Sequence, residues 1–293
     1  MGATATATAI KKQSPAVARR QGKPLFWTGF YAITIFYVLF SLAPILYMVL
    51  TSFKERADVY AMPPKLIFKP SLQAYEHVFA NADMVGYFMN TVITAVASAG
   101  LSLVFGTMAA YALARLPVPK REDFAFYILS IRMFPAVAAA IPIFLIYKTF
   151  NMLDTRPGLI LAHITFNLPF VVWMLRGFIE AIPKELEEAA MIDGRSRIRA
   201  FLDVTMPLLM PSLAAVAIFC IIFSWNEFLF GLILTSRHAK TMPVSITEFI
   251  TWREVTWDAV AAAATILILP VIIFTFLVQK YLVRGLTMGA VRG

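Results

Sequence analysis

The sequence predicts an all-α, polytopic membrane protein with six transmembrane helices, on three observations. Of its 293 residues, 60% are hydrophobic and only 15% are charged, against about 45–50% and about 25% in soluble domains. Mean hydropathy is +0.74. The charges also fall in short clusters separated by long silent runs, a spacing that soluble cores do not need. A helix crosses the hydrocarbon core with about 20 mostly apolar residues. Backbone at that depth must satisfy its own hydrogen bonds, so runs of this length are helices rather than open strands.

Residues 1–24 are Ala/Thr-rich and then basic, with Lys11, Lys12, Arg19, Arg20 and Lys23, and read as a disordered tail. The run 24–53 holds no Asp, Glu, Lys or Arg. It far exceeds the apolar core of about 7–15 residues in a cleavable signal, so it is expected to stay as the first span. The second span is 84–114. The third, Phe124 to Tyr147, is interrupted only by Arg132, and the fourth is 157–175. The run 204–226 contains Pro207 and Pro211, so the fifth span is expected to start after Pro211 and continue past Glu227 to about Leu234. The sixth is 259–279. The expected domains are the tail 1–24, a membrane domain 25–283 and a C-terminal tail 284–293.

Of the 26 Lys and Arg, 16 lie in the four loops that share a side with the N-terminus and 9 in the opposite three. The positive-inside rule then puts both termini in the cytoplasm. The same distribution assigns the net charge of +9 to loops beside a lipid surface rather than to a nucleic-acid-binding face. The one cysteine, Cys220, lies inside an apolar run, which permits neither an intrachain disulfide nor a cysteine metal cluster.

One cytoplasmic loop is too long for its place. Bundle connections take about 2–8 residues, whereas Arg176 to Pro211 is 36. Pro183 stands in a first helical turn followed by Glu185, Glu187 and Glu188, where the dipole favours negative charge. Leu186, Ala189 and Ala190 follow at helical spacing, and Gly194 is a natural left-handed stop. A second short helix is expected from about Ser196. Its residues Ile198, Phe201, Leu202 and Thr205 share one face, and Pro207 ends it. Two short amphipathic helices hinged on a glycine fit either a segment lying on the lipid surface or an element docked in a groove of another protein.

Glu188-Ala189-Ala190, Asp193-Gly194, Phe201, Pro207 and Pro211 resemble the EAA signature of permease subunits of bacterial ATP-binding-cassette (ABC) importers. Arg195 departs from it, since many members have a small residue there. Ser224-Trp225-Asn226-Glu227-Phe228 resembles the fifth-helix pattern of the carbohydrate-importing permeases. Met62-Pro63-Pro64 with Tyr75 is similar to their first external loop, and Tyr111-Ala112-Leu113-Ala114-Arg115 to their first cytoplasmic corner. The end from Gln279 to Gly293 resembles the tail of maltose-type permeases. The resemblance implies that 179–211 is the coupling loop, with Glu188, Ala189, Ala190, Asp193, Gly194, Phe201 and Pro207 meeting an ATPase. It implies that the tail, with Gly285, Gly289 and Gly293, reaches the ATPase dimer. It further implies a second permease subunit, an external solute-binding protein and a place in the bacterial inner membrane.

No Gly-x-x-x-x-Gly-Lys-[Ser/Thr] loop is present, and Gly22-Lys23 runs into Pro24, so the chain has no such cradle for a triphosphate. His-Glu-x-x-His and Gly-x-Ser-x-Gly are also missing, and His77, His163 and His238 are far apart. The chain is expected not to be an enzyme and to hold no cofactor, with ATP and Mg2+ on the partner. Ionisable groups inside spans usually face a bundle interior or a water cavity. Candidates for the substrate path are therefore Arg132, Glu227, His163 with Asn167 four residues on, and Asn226. Ion pairing or snorkelling of Arg132, and plain interhelical hydrogen bonding by His163 and Asn167, are the ordinary alternatives. Pro135, Pro142, Pro169 and Pro270 can kink their helices. From the residues alone, a self-sufficient secondary transporter using Glu227, Arg132 and His163, and a membrane scaffold without transport, also remain open.

Overall fold

In a computed structural model of the protein, residues 24–287 are described. The chain divides into two compact units, Met1–Tyr47 and Met48–Gly293. Helix α1 (Pro24–Ser52), whose residues from Met48 on count with the second unit, occupies the predicted first span. Its side chains from Trp27 to Phe40 are all exposed, as a lipid-facing segment requires.

The second unit continues with α2 (Arg56–Val59), α3 (Gln73–Asn81), α4 (Met84–Arg115), α5 (Arg121–Met133), α6 (Ala136–Thr149) and α7 (Arg156–Ala181). Then come α8 (Lys184–Ile192), α9 (Arg197–Ala200), a π-helical turn (Phe201–Thr205), α10 (Met206–Trp225) and α11 (Leu229–Leu234). Helix α12 (Met242–Ser245), a 3-10 turn (Ile246–Phe249) and α13 (Trp257–Thr287) complete it. Five of these helices are long and apolar enough to cross a bilayer, and α5 with α6 reach that length and hydropathy only as a pair, across a break.

The core pair is α4 with α7. Along α4 the buried residues Ala95, Ser98, Ala99, Ser102, Gly106 and Ala110 recur at helical spacing. Such small residues let two backbones approach closely where no hydrophobic force separates helix from lipid. Gly106 shows how closely: a β-carbon there would stand 2.6 Å from Val171 Cγ1. The two helices run parallel. At one end Arg156 Nε donates to Asn90 Oδ1 over 2.7 Å. At the other, Arg115 Nη2 donates to the carbonyls of Ile179 and Ile182.

Two predicted spans differ from expectation. The third is bent by 91° between α5 and α6, because Pro135 lacks an N–H and pushes Phe134 out of the helical region, to φ −68°, ψ 130°. At a rise of about 1.5 Å per residue neither half alone covers the hydrocarbon core of about 30 Å. The fifth neither starts after Pro211 nor runs unbroken to Leu234. Helix is continuous from Arg197 to Trp225, stops at Asn226, and resumes as α11. Nor does Pro207 end the second short helix. In the π turn the Met206 N–H reaches back five residues to the Phe201 carbonyl, and this wider ring delivers the chain to Pro207 near the start of α10, where a missing N–H is harmless.

Candidate functional site

The loop after α7 folds as two short helices around a glycine, as its spacing predicts. Gly194 has φ +87°. The Arg195 N–H bonds the Ala190 carbonyl at 3.1 Å and the Gly194 N–H bonds that of Met191 at 3.0 Å, the paired closure that a left-handed residue allows. Ser196 Oγ then caps α9 by accepting from the Arg199 N–H. Arg195 forms an ion pair with Asp203 across the hinge.

What holds this hairpin to the bundle is Glu187, which along the chain reads only as one of three acidic residues in a first helical turn. Its carboxylate accepts from Arg115 Nε (2.9 Å), Tyr111 Oη (2.8 Å) and Thr205 Oγ1 (2.7 Å). Burial pushes the Glu187 pKa up, but the donors Thr205, Arg115 and Tyr111 outweigh it and hold the carboxyl below its ordinary value. Arg115 carried the signal: a cation closing a long silent run has no partner in its own helix and needs a carboxylate from elsewhere.

The residues expected to meet an ATPase divide accordingly. Glu188, Ala189, Asp193, Gly194 and Pro207 are exposed, while Ala190 is buried. Phe201 turns inward onto Tyr111, ring centroids 4.5 Å apart. The expected single apolar face therefore splits, with Thr205 buried and Ile198 and Leu202 exposed, because the wide π turn changes the angle between successive side chains. Ile192, Ile198 and Leu202 form apolar positions that the fold leaves uncovered. Gly285 lies within α13; Gly289 and Gly293 lie outside the described residues.

A cavity of about 760 Å³ opens where the two broken helices meet. The α5–α6 break contributes Arg132, Phe134 and Ala136, and the end of α10 contributes Phe223, Asn226 and Glu227. Irregular backbone at membrane depth is tolerated where it lines such a space. Asn226 Nδ2 donates to the Ile222 carbonyl. Glu227 closes the break from the other side, accepting the N–H groups of Phe230 and Gly231 at 2.8 and 3.0 Å.

Of the five substrate-path candidates, Arg132, Asn226 and Glu227 line this cavity, and His163 and Asn167 do not. His163 is 1% exposed, with Nε2 3.5 Å from Glu227 Oε2. Asn167 is fully buried and donates to Ser224 Oγ at 2.8 Å, beside Ser98. The helical spacing that put both on one face of α7 aimed Asn167 at Ser98 and Ser224, on α4 and α10, and His163 at Glu227 beyond α10. Among the described residues no group of three His, Cys, Asp or Glu is arranged to hold a metal ion.

The opposite end of the bundle is closed by a stapled loop. Asp154 accepts the backbone N–H groups of Ser236, Arg237, His238 and Ala239, at 3.0 to 3.2 Å. Asn90 Nδ2 donates to the His238 and Lys240 carbonyls, 2.9 Å each. Burial raises the Asp154 pKa, and the amides of His238, Ser236 and Ala239 with the Ser236 side chain outweigh it and hold the carboxyl well below the usual range. No sequence signal ties Asp154 to a segment 82 residues on.

Known proteins are similar to this chain in fold and in sequence. A crystal structure of a bacterial ABC transporter involved in the import of the acidic polysaccharide alginate has a chain that superposes with TM-score 0.73 at 27% identity, over 89% of this chain and 98% of that one. The probable ABC transporter permease protein y4oR of Sinorhizobium fredii is 39% identical over 93% of this chain and 97% of its own length. The trehalose/maltose transport system permease protein MalG of Thermococcus litoralis is 32% identical over 88% and 94%. The pattern of one family matches residues 102–288, more than half the sequence. The chain belongs to the binding-protein-dependent transport system inner membrane component family.

Proposed function

We propose that the chain is one of two permease subunits of an ATP-driven importer for a sugar or sugar derivative, forming half of the pathway. The observation that carries this reading is the hinged pair α8–α9, fastened to α4 through Glu187 and Arg115 and continuous with α10 through the π turn. Closure of an ATPase dimer on the exposed face of that pair would move α10 as a lever. The far end of α10 is the break that carries Asn226 and Glu227 into the cavity wall. Such coupling requires the ATP-bound partner to interact differently with two permease states.

ATP and Mg2+ belong to the partner on this reading, and no residue of this chain takes part in hydrolysis. Residues 25–283 act as the membrane domain, with tails 1–24 and 284–293 in the cytoplasm on the side of the coupling loop. A solute-binding protein would dock on the stapled end. The carbohydrate cargo is supported by the transport named for the trehalose/maltose relative.

The test is co-purification with the cognate ATPase. Glu188→Lys and Gly194→Pro should each abolish it, and binding that survives both changes removes the docking role. Reconstituted alone, the chain should move no sugar under a proton or sodium gradient; gradient-driven uptake would favour a secondary transporter.

A further inference from the structure

Arg132 occupies the cavity wall in an unusual way. Its guanidinium carbon lies 4.6 Å from the ring centroid of Phe170 and 4.7 Å from that of Phe223. Ring faces offset part of the cost of holding a cation away from water and leave its N–H donors free. Of the five donors a guanidinium has, one is engaged, by Nη1 to the Phe166 carbonyl at 3.5 Å. Among the described residues no carboxylate oxygen lies within 4.0 Å of it.

The other charge in the wall is already committed. Both Glu227 oxygens accept backbone N–H groups, and Oε2 faces His163. The cavity thus presents a cation with unspent donors beside a carboxylate whose two oxygens each already accept a backbone N–H. Its volume of about 760 Å³ is in the range of small-molecule sites.

We infer that the cargo carries an oxyanion on its sugar, a carboxylate, sulfonate or phosphate, and that Arg132 is the residue that recognises it. A charge inside a span is costly and is usually retained for a task. The planar fork matches two oxygens of an oxyanion and is poorly matched by a neutral hydroxyl. The two phenyl rings hold the guanidinium against the cavity wall in advance, which lowers the ordering cost of binding. The inference rests on the permease reading above, because it needs the cavity to be the transport path.

The test uses the complete importer, both permeases, ATPase dimer and binding protein, in proteoliposomes. Three radiolabelled disaccharides of equal size serve as probes: a neutral one, its uronic acid and its 6-sulfonate. ATP should drive accumulation of at least one acid at least tenfold faster than the neutral sugar. Arg132→Gln should lower acid uptake tenfold or more without lowering neutral uptake, and Arg132→Lys, which keeps charge but loses the fork, should recover part of it. Neutral uptake as fast as acid uptake, unchanged acid uptake in Arg132→Gln, or equal losses for acid and neutral sugars in both variants overturns the inference and leaves the permease reading standing. If none of the three accumulates, both fail.

Discussion

Arg115 and Glu187 form an ion pair of 2.9 Å in which the two side chains are only 4% and 7% exposed, joining the end of a core helix to the first helix of the coupling loop. Removing one partner of such a pair strands the other charge, at about 3–5 kcal/mol. Glu187→Ala should therefore lower the thermal stability of the purified importer sharply and uncouple ATP hydrolysis from uptake. Glu188→Gln, on the exposed side of the same helix, should change stability by no more than about 0.5 kcal/mol. Equal effects of the two substitutions in a melting experiment would mean that the buried pair does not hold the lever.

The same pair sets a pH dependence. Glu187 has a depressed pKa in the folded protein, so its contribution is complete above the unfolded glutamate value of about 4.3. It declines as pH falls through the lower folded value. Loop stability should be flat from pH 6 to pH 8 and drop only in acid, and Glu187→Gln should remove that acid step. Hydrogen exchange of the α8 amides across this range checks it.

Asp154→Ala should release the loop 235–242 from the bundle. Four backbone N–H groups lose a charged acceptor, and a charge-assisted bond contributes about 1.5–3 kcal/mol. A local loss of about 2 kcal/mol raises amide exchange there about 30-fold, while exchange in α8 stays unchanged. The carboxyl is held below its ordinary value, so this staple is fully formed above the unfolded aspartate value of about 3.9 and is lost only as pH falls through the folded one.

At Gly194 the cost of a side chain is purely conformational. A β-carbon would meet nothing within 4 Å, but φ is +87°. Gly194→Ala should destabilise the hairpin by about 1–2 kcal/mol, and Gly194→Asn by less, since asparagine tolerates the left-handed region. Affinity for the ATPase, measured by titration, should follow the same order, glycine tightest and alanine weakest.

Asn167→Ala separates a structural role from a cargo role. Its amide bonds Ser224 within the bundle, and interhelical hydrogen bonds in membranes average about 0.6 kcal/mol. A small fall in melting temperature with unchanged ratios of uptake among sugars is expected. A changed ratio would bring Asn167 into the cargo site.

Much of this architecture is legible along the chain. Silent runs located the spans, Gly194 and Ser196 marked the hinge and the second helix start, and Arg132 and Glu227 stood out as charges where charges are costly. Prolines are only half legible. Pro135 reads as a kink, and the structure gives the kink its size, 91°. Pro207 reads as a stop and is instead accommodated by a π turn. A proline announces a lost N–H, but what the chain does next depends on which carbonyls and neighbours can absorb it.

By itself the sequence determined what depends on near neighbours: which segments are apolar enough for lipid, where the coupling hinge falls, and which loop is too long to be a connector. Tertiary structure alone decided the partnerships. It chose Glu187 over Glu188 for Arg115, folded Asp154 under a loop 82 residues away, drew His163 and Asn167 into the bundle, and left Arg132 facing a cavity against two rings. Helical periodicity assigns each side chain to a face of its own helix, but only the packing of helices against one another determines what that face meets.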